Sequence, residues 1–262
     1  MDDIVFSAGT IIGYALTGIV ATALPIGLLF FWKKYTGESI FPFFVGIAAY
    51  YIAATVRIFM RMPLKVEGSI FQSNKLLYCF AQALLSGVLE ETARLIAFRY
   101  PLRNRTARST SVMYGIGHDA YESIILTGIT SFQFVIAAIG YNRYGMEGYG
   151  VDLNSEEALS LYESTRKLAD QSFFESLIFT LDEVSSIAVQ IALSVIVFAA
   201  LQKVDWKKLF FLAVGLHTAM DFFMYFPKLG YISMNAAILL DIVFDAAIAY
   251  YAYKRYQELP FV

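Results

Sequence analysis

LLYCFAQALLSGVLEETARLIAF, residues 76–98, is an apolar run of the length a helix needs to cross about 30 Å of hydrocarbon, interrupted by Glu90, Glu91 and Arg94. A charge at that depth costs several kcal/mol unless it faces a protein interior or water. The run therefore predicts a membrane-spanning helix whose charged residues turn inward, and similar runs recur through the chain. Of its 262 residues, 58% are hydrophobic and only 16% charged, where a soluble domain carries roughly a quarter charged. These figures predict an all-α, polytopic membrane helical bundle occupying residues 1–262 as one domain.

Seven spans are expected, over residues 6–32, 39–60, 75–98, 111–140, 172–201, 208–227 and 231–252. The uncharged stretch from Ile4 to Trp32 is too long for a signal peptide and reads as the first span. Tyr141 to Gln171 is the one long polar connection, and its NSEEALSLYESTRKLADQ segment has the spacing of a surface helix, either a lid or, preferably, a solvated spacer. The sole cysteine, Cys79, excludes a disulfide framework and a cysteine-based zinc site, and the net charge of -2 offers no basic patch to nucleic acid. Membrane lipids are the surroundings this composition implies.

Lys and Arg placement sets orientation. With the N-terminus outside, Lys33, Lys34, Arg99, Arg103, Arg105, Arg108, Lys203, Lys207, Lys208, Lys254 and Arg255 face the cytoplasm. Arg57, Arg61, Lys65, Lys75, Arg143, Arg166, Lys167 and Lys228 face outward. That bias of eleven to eight predicts a multi-pass protein of the cell membrane with a cytoplasmic C-terminus; the acidic start, Asp2 and Asp3, counts for little.

Inside the membrane the polar residues form a pattern. Glu90 and Arg94 are one turn apart and share a helix face, while Glu91 points about 100° away. In YGIGHDAYESIIL, Tyr114, His118 and Glu122 recur every four residues. VGLHTAMDFF repeats the pairing with His217 and Asp221. These are the only two histidines, each in mid-span with a carboxylate one turn later. A Glu that takes a proton from water, imidazoles that bind a metal or orient that water, and a donor that stabilises an oxyanion make a hydrolytic set. A one-turn His and acid pair would also fix the ring tautomer. Glu175, Asp182, Glu183, Asp241 and Asp245 are further intramembrane acids, expected as polar packing or as partners for Arg57 and Arg94. Glu183 is the first candidate among them for an auxiliary role.

The series EExxR, aromatic-xxx-His and HxxxD resembles the superfamily of CAAX prenyl endopeptidases, bacteriocin-processing and self-immunity membrane proteins, and PrsW-type site-1 proteases. Its likeness is greatest to the YhfC-type intramembrane metalloproteases. The motifs cover a little over half the chain. The resemblance implies an endopeptidase that hydrolyses a peptide bond in or near the membrane, with a membrane-embedded or membrane-proximal peptide as substrate. It implies that Glu90 activates water, that Glu91 and Arg94 complete its motif, and that His118, His217 and Asp221 position the water, bind zinc or stabilise the oxyanion. Tyr114 stands where prenyl-protease relatives have Phe. Glu122 makes an overlapping HxxxE similar to the PrsW-type motif, so His118, Glu122 or both belong to the metal set. Asp221 replaces the prenyl-protease Asn and puts CAAX substrates in doubt. Zinc is expected beside a metal-free, glutamate-dependent alternative. A non-enzymatic transporter or ion- and proton-binding protein would use the same acids and histidines; no inverted repeat of the transporter type is visible in the chain.

Overall fold

The structure, a computed structural model, describes residues 4–66, 69–148, 156–202 and 206–260. Among these every regular element is helical: α1 (Ala8–Thr36), α2 (Phe41–Arg61), a short α3 (Ile70–Ser73), α4 (Lys75–Arg99), α5 (Arg108–Tyr121), α6 (Ile129–Gly148), α7 (Glu156–Ala169), α8 (Phe173–Leu201), α9 (Trp206–Phe223) and α10 (Met234–Gln257). A π-helical segment, Glu122–Gly128, joins α5 to α6, so the expected fourth span is one long rod with a wider turn in its middle. Asp2, Asp3, Lys203 and residues 149–155 of the long connection lie outside the described residues.

Among the described residues, five stretches are long and apolar enough to cross a membrane: Ala8–Thr36, Phe41–Lys65, Arg108–Gly145, Phe173–Leu201 and Met234–Gln257. The remaining two expected spans are α4 and α9, which carry Glu90, Glu91 and Arg94, and Lys207, Lys208 and Asp221. They lie against each other, α4 also packing on α2 and α9 on α8, so these polar helices are sheltered by apolar ones. The polar connection holds α7, whose Tyr162 packs with Ile4, Phe6 and Ala138.

α8 forms the spine. From Ile187 on, nearly every residue of its second half is buried, and it contacts α1, α4, α5, α9 and α10. A helix apolar on all faces belongs inside a bundle, and its Leu193, Ile196 and Phe198 join Phe98 and Tyr114 in the main core.

Two close crossings bring the histidine helices in. Where α2 crosses α5, a Cβ on Gly46 would lie 2.3 Å from the Tyr114 carbonyl oxygen, and one on Gly117 would lie 2.0 Å from that of Phe43. Where α4 crosses α9, a Cβ on Gly87 would meet the Thr218 Oγ1 at 2.6 Å. Glycine lets helix backbones touch at both places. At the other end of α5, Glu38 accepts hydrogen bonds at 2.8 Å from both Ser109 Oγ and Thr110 Oγ1, and from Arg105 at 2.9 Å. A carboxylate held at a helix N-terminus is also favoured by the helix dipole, and this one ties the α1–α2 turn to the start of α5.

Candidate active site

Glu90, Glu91 and Arg94 of α4, His118 of α5 and His217 of α9 are all buried, none more than 2% exposed. Glu90 Oε2 stands 3.5 Å from His118 Nε2 and 3.6 Å from His217 Nε2. The two Nε2 atoms are therefore at most 7.1 Å apart, the two distances laid end to end, and both histidines face one carboxylate oxygen. The other oxygen, Oε1, accepts from Arg57 of α2 at 2.5 Å and from Ser86 Oγ at 3.2 Å, while Arg57 also donates to Ser86.

The pairing differs from the one expected along the helix. Arg94 does not hold Glu90: its Nε lies 3.4 Å from Glu91 Oε1, and its Nη1 donates to the Gln190 carbonyl at 2.8 Å and to Ser194 Oγ at 3.0 Å, with Nη2 on the Gln190 side chain. Arg94 thus anchors α4 to α8. Arg57, counted from sequence among the outward-facing loop charges, lies within α2 and takes the place expected for Arg94. The reason is geometric: a shared face allows an i,i+4 contact, but each of these guanidiniums finds better acceptors on a neighbouring helix.

Glu91 has a definite task. Its Oε1 lies 2.6 Å from His217 Nδ1, where a carboxylate accepts the Nδ1–H; in the neutral ring this puts the lone pair on Nε2, the nitrogen facing Glu90. The expected one-turn partner, Asp221, is 3.8 Å from His217 Nε2, beyond hydrogen-bond reach, and sits at the cavity wall with 28% of its side chain exposed. Glu122 accepts from the Gln190 side-chain amide at 3.4 Å rather than bonding to His118. His118 is instead fixed by rings, Tyr50 edge-on at 5.1 Å and Tyr114 at 5.8 Å between centroids, and its Nδ1 has no hydrogen-bond partner.

A cavity of about 150 Å³ opens on this group, lined by Arg57, Ser86, Glu90, Glu122, His217 and Asp221 and also by Asp182, Asp241 and Asp245. These last three do not pair with Arg57 or Arg94, as had been one expectation. Glu183 lies outside this cavity; it accepts from Thr127 at 2.7 Å and Ser123 at 3.4 Å and lines a separate pocket. Glu175 closes a capping box with Ser172 at the start of α8.

The donor chemistry of the site suits a divalent metal. In a tetrahedral zinc shell with bonds of about 2.0–2.1 Å, neighbouring donors stand roughly 3.3 Å apart, against 3.8 Å between Asp221 Oδ1 and His217 Nε2 and 3.5 and 3.6 Å from the two imidazoles to Glu90 Oε2. A histidine whose far nitrogen is bound to a carboxylate is the usual form of a metal-ligating imidazole. Still, among the described residues no three His, Cys, Asp or Glu side chains are already closed on a common centre.

Sequence reasoning missed Arg57 as a site residue, Ser86, Tyr50, Gln190 and the buried Asp119, which accepts from Ser123 at 2.8 Å and Ser186 at 3.3 Å. Arg57 alone gave a signal, a single cation inside an otherwise apolar run.

The family described as YhfC intramembrane metalloprotease matches residues 20–243. The uncharacterized membrane protein YhfC of Bacillus subtilis (strain 168) is 26% identical over 251 residues, covering 94% of this chain and 95% of that protein. No solved structure matches the chain significantly.

Proposed function

The chain belongs to the YhfC intramembrane metalloprotease family, and we propose that it is itself an intramembrane endopeptidase that cleaves a peptide bond in or near the bilayer. The observation that carries this reading is a buried carboxylate, Glu90, with one oxygen held by Arg57 and the other facing two imidazoles at the wall of a polar cavity. In the proposed mechanism Arg57 keeps Glu90 ionised and aimed, so that Oε2 takes a proton from a water admitted to the cavity. Glu91 fixes the His217 tautomer. The proton then passes from Glu90 to the leaving amine as the tetrahedral intermediate collapses.

Zinc is the cofactor we propose; the Nε2 atoms of His118 and His217, with Asp221 as carboxylate donor, would hold it, and when bound it supplies Lewis-acid stabilisation of an oxyanion. Arg94, through Glu91 and Gln190, would be a positioning residue. We also propose an external N-terminus, a reading that gains from moving Arg57 out of the external loops. A thiol placed at Asn104, in the turn after α4, should be labelled only from the cytoplasmic side; labelling from outside would reverse the orientation.

The test is cleavage in nanodiscs. Parent and Glu90→Gln are incubated with a mixed library of transmembrane peptides, and new peptide termini are read by mass spectrometry. Products from the parent and none from a folded Glu90→Gln are expected. Equal products from both would end the mechanism, and none from either would favour a non-enzymatic ion-binding protein.

A further inference from the structure

We propose that the cavity beyond the catalytic group is a cation subsite, formed by Asp182, Asp241 and Asp245, that receives the Lys or Arg side chain of a substrate near its cleaved bond. This assignment of substrate class rests on the peptidase reading above.

The three acids come from two helices that run parallel and in register. Asn235 donates to Glu175 at 3.5 Å and Ser185 to Asp245 at 2.8 Å, and both bonds join α10 to α8 across sixty residues of chain. The same offset sets Asp182 level with position 242, between Asp241 and Asp245, which are one turn apart. All three line the same cavity as Glu90 and His217.

Two observations point to a ligand. Asp241 and Asp245 are 6% and 2% exposed, and Oδ1 of each has no hydrogen-bond partner. A buried carboxylate oxygen left unsatisfied is costly, and native structures keep few without a functional reason. The second observation is charge. Six carboxylates line this cavity, those of Glu90, Glu122, Asp182, Asp221, Asp241 and Asp245, against Arg57 and His217. Arg57 is hydrogen-bonded to Glu90 and Ser86, and His217 to Glu91, so the six carboxylates outnumber the two cations, each of which already has an acid partner.

What fits is an organic cation. No three acids among the described residues close on one point, as a desolvated metal ion would require. A guanidinium or ammonium spreads its donors over several ångströms and can meet separated carboxylates. About 150 Å³ is below the roughly 300–1,000 Å³ of pockets for whole ligands, and suits a single side chain. The arrangement sets a basic residue beside the bond presented to Glu90. Asp182 also lines the neighbouring cavity between α1, α6 and α8, together with Glu183.

The experiment measures binding without turnover. n-Butylguanidinium and its neutral counterpart n-butylurea are titrated into the nanodisc-embedded protein, with thermal unfolding as readout, for parent, Asp182→Asn, Asp241→Asn, Asp245→Asn and Glu90→Gln. Saturable stabilisation by butylguanidinium alone is expected, weakened at least tenfold in Asp241→Asn and Asp245→Asn and changed less than threefold in Glu90→Gln. Without probe, Asp241→Asn should melt no lower than the parent, because an unsatisfied charge is removed; a purely structural aspartate would lower it. Should one variant fail to fold, Asp182→Asn carries the same comparison. Equal binding of the two probes, binding untouched by all three substitutions, or stabilisation by Mg²⁺ or Ca²⁺ in place of butylguanidinium would overturn the subsite. In the peptide library, cleavage should favour Lys or Arg within two residues of the cut. Cleavage without that preference and without probe binding defeats the subsite alone. Probe binding in a parent that cleaves nothing defeats the peptidase reading and leaves the cation site.

Discussion

Gly117→Ala tests whether the α2–α5 crossing sets the position of His118. The added Cβ would lie 2.0 Å from the Phe43 carbonyl oxygen and 2.6 Å from that residue's Cα and carbonyl carbon, all backbone atoms that no rotamer change can move aside. Reaching even a tight contact of 3.0 Å requires α5 to withdraw from α2 by at least 1 Å. In helix propensity the substitution is favourable by about 1 kcal/mol, whereas overpacking costs roughly 1–3 kcal/mol, and a collision with rigid backbone belongs at the upper end. A net loss of about 1–2 kcal/mol follows, seen as a lower melting temperature in nanodiscs. The catalytic effect should exceed the stability effect, because His118 is the next residue and a misplacement of about 1 Å costs on the order of 10²-fold. Gly215→Ala is the control: it lies two residues from His217, and nothing stands within 4 Å of its new Cβ. It should cleave the peptide library like the parent. A Gly117→Ala protein with parental melting temperature and cleavage within threefold of parent would refute the close crossing and the placement built on it.

Arg94→Met strands the fully buried Glu91 and removes the ties to Gln190 and Ser194, so a loss of about 3–5 kcal/mol is expected; the double variant with Glu91→Gln should recover a large part of it in thermal unfolding, and no recovery would argue against the pair. Glu91→Gln alone retains an acceptor for His217 Nδ1–H and should keep measurable cleavage, in contrast to Glu90→Gln. Arg57→Gln should cut cleavage by the folded protein roughly 10–100-fold and lower its melting temperature, since it also strands buried Glu90, and Arg57→Lys should restore part of both; if both variants cleave like the parent, Arg57 does not aim Glu90. Metal analysis should find near-stoichiometric zinc in the parent and loss in His118→Ala and His217→Ala, and chelator-resistant cleavage by a metal-free parent would leave Glu90 and water as the whole mechanism.

The helices were legible because an apolar run of membrane length has few alternatives, and the candidate site residues stood out because charge inside such a run is anomalous. The Nε2 atoms of the two mid-span histidines lie 3.5 and 3.6 Å from Glu90 Oε2. What periodicity could not supply was contact between helices. It sees only neighbours three and four residues away on one helix, and so it joined Glu90 to Arg94, His118 to Glu122 and His217 to Asp221. None of those contacts is a hydrogen bond in the folded protein, where the partners are Arg57, Tyr50 and Glu91, each on another helix. The π-helical turn after Tyr121 compounds the error, since it changes the angular step just where Glu122 begins it.

The paired acids of EExxR make sense once the helix is given its neighbours. Consecutive residues on α4 point about 100° apart, so Glu90 faces the cavity between α2, α5 and α9, while Glu91 faces the seam where α9 meets α8. A single acid could not both accept the His217 Nδ1–H and present an oxygen to Nε2 on the opposite edge of the same ring. Two adjacent ones bracket the imidazole, at 2.6 Å on one side and 3.6 Å on the other. Arg94, three residues after Glu91, then balances the acid that is buried away from the cavity, and Arg57 balances the one that is not. Each carboxylate thus has its own cation, Arg57 of α2 for Glu90 and Arg94 of α4 for Glu91, so a change of protonation at Glu90 would leave in place both the Glu91–Arg94 pair and the bonds from Arg94 to Gln190 and Ser194 that fix α4 against α8.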